Sequence, residues 1–162
     1  MKSLLTGLVV LLASTVLVPA LGETLRGIRI NEPWARSSGE RGVSPNIYFD
    51  VTNHADTEDE IVSLWTSVAD AAVIMEPHWH GMKMTMERVT SLRIGAGETI
   101  SMHPGGYQVT LVHPKEFLRA GRVIGMEIRF RKAGTIEFTV PMTNRLLPPR
   151  SVSDEPKKKL EE

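Results

Sequence analysis

None of the 162 residues is a cysteine. That absence excludes a disulfide framework, a thiolate nucleophile and any Cys-ligated zinc or iron–sulfur centre. It also excludes a blue-copper electron-transfer site, which is built around a Cys thiolate. An excess of charge of either sign is missing too. Nineteen Lys and Arg balance nineteen Asp and Glu, so there is no electrostatic footprint for nucleic acid or an anionic membrane surface. No segment after the N-terminal region is an apolar run of the roughly 20 residues that a membrane helix needs. The chain also has no nucleophile elbow, no phosphate-cradling glycine loop and no metalloprotease His-Glu spacing.

The N-terminus is where apolar residues do accumulate. Lys2 precedes an apolar run from Leu4 to Val18, then a helix-breaking Pro19 and the small residues Ala20 and Gly22. This pattern predicts a secretory signal over 1–22, cut after Gly22, and an exported, periplasmic mature chain with no membrane span. About 140 residues then remain, enough for one domain with a real core. From Asn144 onward Pro148-Pro149 and a run of Ser, Asp, Glu and Lys predict a polar tail over 144–162 that buries too little apolar surface to order itself. The folded domain is therefore expected over 23–143.

In the middle of that domain, Met75 to Met86 gathers Met75, His78, His80, Met82, Met84 and Met86 into twelve residues. Imidazole nitrogen with thioether sulfur is a copper-favouring donor set, and thioethers survive compartments that oxidise thiols. Around it the chain reads as short alternating strands: Ile28–Ile30, Ile47–Thr52, Met82–Met86, Gly125–Phe130 and Ile136–Val140. Turn residues separate them at Asn53–Asp56, Gly95–Gly97, Pro104–Gly106, Ala120-Gly121 and Ala133-Gly134. Such spacing predicts an all-β, antiparallel Greek-key sandwich or barrel.

Several blocks in order carry a family resemblance. Glu32-Pro33-Trp34-Ala35-Arg36, Tyr48–Asn53 with the acidic Asp56–Glu60, Ala96-Gly97-Glu98-Thr99, Pro104-Gly105-Gly106-Tyr107 and Ala133-Gly134-Thr135 leading to Val140-Pro141 resemble the PCu(A)C-type periplasmic copper chaperones. The resemblance spans about Asn31 to Met142. It implies a cupredoxin-like fold, copper as cargo, and a copper-accepting periplasmic partner such as a cytochrome c oxidase subunit or another copper chaperone.

The family spaces its ligands as His, ten residues, Met, twenty-one residues, then His and Met one residue apart. This chain keeps that spacing with Met75, Met86, Gln108 and Thr110, so only Met86 retains the family's ligand type. Gln and Thr offer hard oxygen donors, poor for Cu(I). Two readings remain open. In one, the site has moved along a hairpin, where His78, His80, Met82, Met84 and Met86 share one parity and converge if the turn near Gly81 holds them together. In the other, the chain is a degenerate relative that binds no metal and acts as a periplasmic interaction module, with Trp79 as a docking residue. The methionine stripe would then be a half-buried strand using Met as core filler.

The other histidines have weaker claims. His103 precedes the Pro104-Gly105-Gly106 turn near the family's second imidazole position, His113 has parity opposite to Gln108 and Thr110, and His54 lies in a polar turn. Asp56, Glu58, Asp59 and Glu60 read as a solvated loop, not an acid/base pair, and the chain is not expected to be an enzyme.

Overall fold

The computed structural model describes residues 24–37 and 44–144. The segment assigned to a signal and the tail beyond Asn144 lie outside them. Among the described residues every regular element is a strand: β1 (Thr24–Leu25), β2 (Ile28–Arg36), β3 (Asn46–Asn53), β4 (Asp59–Trp65), β5 (Ala69–His80) and β6 (Lys83–Val89) come first. They are followed by β7 (Leu92–Ile94), β8 (Thr99–Ser101), β9 (Gln108–Pro114), β10 (Val123–Phe130) and β11 (Gly134–Thr143). Seven of them close a barrel in the order β2, β11, β10, β4, β5, β9, β3, with β3 pairing back onto β2. Neighbours are antiparallel, except that β11 and β2 run parallel through Met142 opposite Ala35 and Thr143 opposite Arg36. This is the all-β, cupredoxin-like architecture that the alternation and the family blocks predict.

Period-2 patterning fills the barrel. Along β10 and β11 the inward residues meet as direct cross-strand pairs: Ile124 with Val140, Met126 with Phe138, and Ile128 with Ile136. All six are buried, and such pairs are the unit of sheet stability. Phe49 packs edge-on against Phe138 with ring centroids 5.3 Å apart, joining β3 to β11 through the interior.

Two buried polar residues, Asp59 and Asn53, are structural. Asp59 is buried: Oδ1 accepts the backbone N–H of Glu60 and of Lys132, and Oδ2 accepts that of Ala133. One carboxylate thus ties the start of β4 to the β10–β11 turn, so half of the acidic stretch expected as a solvated loop is strand and buried anchor. Asn53, fully buried, donates from Nδ2 toward the carbonyls of Thr57, Ile94 and Gly95 and accepts from the N–H of Ala55. Buried polar groups persist when they are satisfied in this way.

β5 is the strand that positions the site. Its first part lies inside the barrel, paired with β9 from Ala69–Pro114 to Met75–Gln108. Beyond Met75 it loses that neighbour and pairs only with β6, so Glu76 to His80 forms half of a two-stranded ribbon that leaves the barrel. The ribbon turns through Gly81-Met82, with His80 opposite Lys83. Gly81 has φ +64° and Met82 has no positive φ, the pattern of a type II′ hairpin turn, whose first central position favours glycine. Met82 therefore belongs to the turn and not to the strand predicted from Met82 to Met86.

Candidate functional site

The two-residue turn decides which side chains meet. Directly opposed residues in an antiparallel pair project to the same face, and successive residues alternate. His78 pairs with Thr85, Trp79 with Met84, and Pro77 with Met86. Even-numbered residues of β5 thus share a face with odd-numbered residues of β6. The shared parity of His78, His80, Met84 and Met86, which suggests convergence in a linear reading, places the histidines and the methionines on opposite faces of the ribbon.

The outward face carries the thioethers. Met75, Pro77 and Trp79 lie beside Met84 and Met86, and the same face continues onto β9, where Gln108 stands directly opposite Met75 and Thr110 opposite Val73. All four positions of the family spacing, Met75, Met86, Gln108 and Thr110, therefore come together on one surface. Each is partly exposed. Met86 is a diagonal neighbour of Met75, roughly 7–8 Å away along the sheet, within reach of a flexible thioether chain. Thr110 donates its hydroxyl to Asn46 Oδ1 at 2.8 Å, which occupies the hard donor at that corner. The ribbon tip is apolar and open: Trp79 is 66% exposed, Met84 39% and Met82 100%. Below, Trp34 and Tyr48 pack at 4.6 Å between centroids on the same outer side, and burial raises the Tyr48 phenol above its ordinary pKa.

The opposite face is the continuation of the core side. Ile74, Val109 and Leu111 line the core, and Val89 and Tyr107 pack against it. Further along come Glu76, His78 and His80 from β5 and Glu87, Thr85 and Lys83 from β6. Tyr107 donates its hydroxyl to Glu76 Oε1 at 2.6 Å. That bond, reinforced by burial, pushes the Tyr107 pKa up to about 12. His78 Nε2 lies 3.5 Å from Glu76 Oε2 and 3.8 Å from Glu87 Oε2, and His80 Nε2 lies 3.8 Å from Glu87 Oε1. Glu76, Glu87 and Tyr107 escaped the sequence reading, although the alternation Glu76-x-His78-x-His80 was there to be seen.

The remaining histidines lie elsewhere. His103 Nδ1 is 3.1 Å from the carbonyl oxygen of Pro104, His113 Nδ1 is 3.7 Å from Asp70, and His54 is an exposed turn residue. A groove of about 1030 Å³ opens where β2 and β11 diverge, between Arg29, Glu32, Trp65, Met126 and Phe138. It contains none of the six candidate ligands.

A closed seven-stranded barrel, with no helix among the described residues, is the cupredoxin-like fold of PCuAC domains. The apo PmoF2 PCuAC domain superposes with a TM-score of 0.66 at 21% identity, over 79% of this chain and 99% of that one. The copper-bound PCuAC domain from PmoF2 gives 0.63 at 23%, over 77% and 100%. Cu(I)-bound DR1885 of Deinococcus radiodurans gives 0.55 at 20%, over 73% and 80%. The chain belongs to the LpqE-like family, described as Putative lipoprotein LpqE-like, whose model matches residues 28–142. Putative lipoprotein Lxx21020 of Leifsonia xyli subsp. xyli (strain CTCB07) is 28% identical over 139 residues, covering 85% of this chain and 81% of that protein.

Proposed function

We propose that this protein is an envelope-side copper carrier that holds Cu(I) on the outward face of the ribbon and yields it to a copper-accepting protein, of which a cytochrome c oxidase subunit or another copper chaperone is the expected kind. The observation that carries this reading is that Met75, Met84 and Met86 share one open face of the ribbon, with Met75 and Met86 at positions where the family spacing falls. Thioethers are soft, neutral donors suited to Cu(I). Gln108 adds only an amide, and the Thr110 hydroxyl is already engaged with Asn46. The cargo would therefore rest on sulfur alone, on a ribbon that an acceptor can approach from solvent. Ligand exchange then proceeds by replacing one thioether at a time, with no change in the barrel. The chemistry is transfer of an ion and requires no catalytic group.

Export is part of the same proposal. It rests on the N-terminal sequence, on the lipoprotein name of the relative and on a donor set that tolerates an oxidising compartment. Lipid attachment through a thioether requires a cysteine, and none of these 162 residues is one.

A second reading is favoured by the tip. Trp79, Met82 and Met84 are all solvent-exposed apolar groups, the kind of anchor that seats in a partner's pocket. In that reading the ribbon docks a protein and carries no copper.

Anaerobic Cu(I) titration against a chromogenic chelator separates the two. One copper retained per chain, lost in the Met75→Leu, Met84→Leu, Met86→Leu triple variant, supports the carrier. Failure of the unaltered chain to compete removes it and leaves the docking surface.

A further inference from the structure

We infer that the core-side face of the ribbon is a second metal site, distinct from the thioether face, in which His78, His80, Glu87 and Glu76 take a borderline divalent cation, Cu(II) above all and Zn(II) more weakly. The inference stands independently of the copper(I) reading, because it uses none of the methionines.

The register supplies the donors. His78 and His80 on β5 and Glu87 on β6 share one face by strand alternation, with Glu76 next in the row. Glu87 spans the pair: one carboxylate oxygen lies 3.8 Å from His78 Nε2 and the other 3.8 Å from His80 Nε2. These separations exceed an ordinary hydrogen bond. They lie within a few tenths of an ångström of the roughly 3.0–3.4 Å between neighbouring ligands bound at about 2.0–2.1 Å to a four-coordinate ion. Side chains that stand near one another without bonding are ready to close on a cation between them.

A second observation points the same way. Tyr107, fixed against the core, holds Glu76 by Oε1 and turns Oε2 toward His78 at 3.5 Å. Outer hydrogen bonds that orient a ligand carboxylate are a regular part of metal sites. The charge balance also suits a cation: two carboxylates face one ammonium, Lys83, which lies opposite His80 at the open end. Among the described residues no three such groups already surround a single point, so binding requires rotation about side-chain bonds. His78, His80 and Glu87 have side chains 44%, 66% and 53% exposed, which leaves them free to turn.

Nitrogen and oxygen donors favour Cu(II) over Zn(II) in the general affinity order of divalent ions, and disfavour Cu(I) relative to sulfur. One thin ribbon thus presents soft donors on one side and hard or borderline donors on the other.

The test is a titration of the full chain with Cu(II) against glycine as competitor, read by electron paramagnetic resonance. The expected result is one site per chain with nitrogen hyperfine structure, weakened tenfold or more in the His78→Ala, His80→Ala variant and measurably weakened in Glu87→Gln. The Met84→Leu, Met86→Leu variant should leave it unchanged while losing Cu(I). Residual Cu(II) binding at the chain terminus and other histidines appears in the double histidine variant as background. Equal affinity in the unaltered chain and that variant overturns the inference, as does loss of Cu(II) in the methionine variant. Loss of Cu(I) alone leaves it standing and bears only on the carrier reading. Circular dichroism of each variant confirms the fold.

Discussion

Met75 stands directly opposite Gln108 across the β5–β9 pairing, with Met86 diagonal to Met75 on the same face. Two thioethers and an amide thus share the corner where two imidazoles and a thioether would be needed to reproduce the ligand set implied by the family resemblance. Restoring two of the three missing donors, with Met75 left in place, is a direct experiment. The Gln108→His, Thr110→Met variant should bind Cu(I) at least tenfold more tightly than the unaltered chain in chelator competition. An unchanged affinity would mean that the surface cannot bring these four positions to one ion.

Stability and cargo should separate cleanly by residue. Met82 and Met84 are exposed, so Met82→Ala and Met84→Ala should each shift unfolding by no more than about 0.5 kcal/mol. Leu111, fully buried between β5 and β3, should cost roughly 2–5 kcal/mol as Leu111→Ala. Chemical denaturation of the three variants without metal checks both halves. A large loss at Met84 would make it a packing residue after all.

Asp59 holds three backbone N–H groups at the base of the β10–β11 turn. Removing it strands at least the N–H of Ala133 in a buried setting. Asp59→Ala should therefore destabilise the barrel by about 2–4 kcal/mol, and Asp59→Asn by less, because an amide oxygen still accepts. Urea midpoints at constant m-value measure the difference.

Tyrosine ionisation reports the Tyr107–Glu76 contact. Both Tyr107 and Tyr48 are held above the ordinary phenol pKa of about 10. The folded protein should show little tyrosinate absorbance at pH 10, and Tyr107 should ionise near pH 12. The sign follows from the raised value: the contribution to stability is complete below the unfolded pKa and is lost as pH rises toward the folded one. Glu76→Gln should bring the Tyr107 titration down, since the hydrogen bond from its hydroxyl to Glu76 is the largest cause of the shift. If Tyr107 already ionises near pH 10 in the unaltered protein, that contact does not form in solution.

Much of this fold is legible in the residues because it depends on alternation. β10 and β11 show buried and exposed positions in turn along most of their length, and the turn glycines fall between strands as expected. β5 is harder to see: Val73 and Ile74 are both buried, since one packs inward and the other is covered on the outside, so period 2 is lost there. The closure of the barrel by β2 and β11 joins residues over a hundred positions apart and leaves no local trace.

The site was half legible. Its spacing came with the family resemblance, while its segment could be read from residue types. Its division into two faces could not, because a turn of two residues between His80 and Lys83 reverses the relation of parity to face, and one residue more or less would have restored it. Asp59 had the opposite fate. A carboxylate among carboxylates looks solvated until the backbone it anchors is in place.

The ribbon beyond Met75 also has open margins: among the described residues β6 pairs with β5 alone, and β5 has no other neighbour from Glu76 onward. Bare strand margins invite other chains to add to the sheet. Pro77 offers no amide hydrogen on one margin, and Lys83, Glu87 and Arg88 set charges along the other, which are the usual guards against such addition. A finger so protected can touch a passing molecule through its side chains and let go, where an unguarded one would recruit its own kind into aggregates.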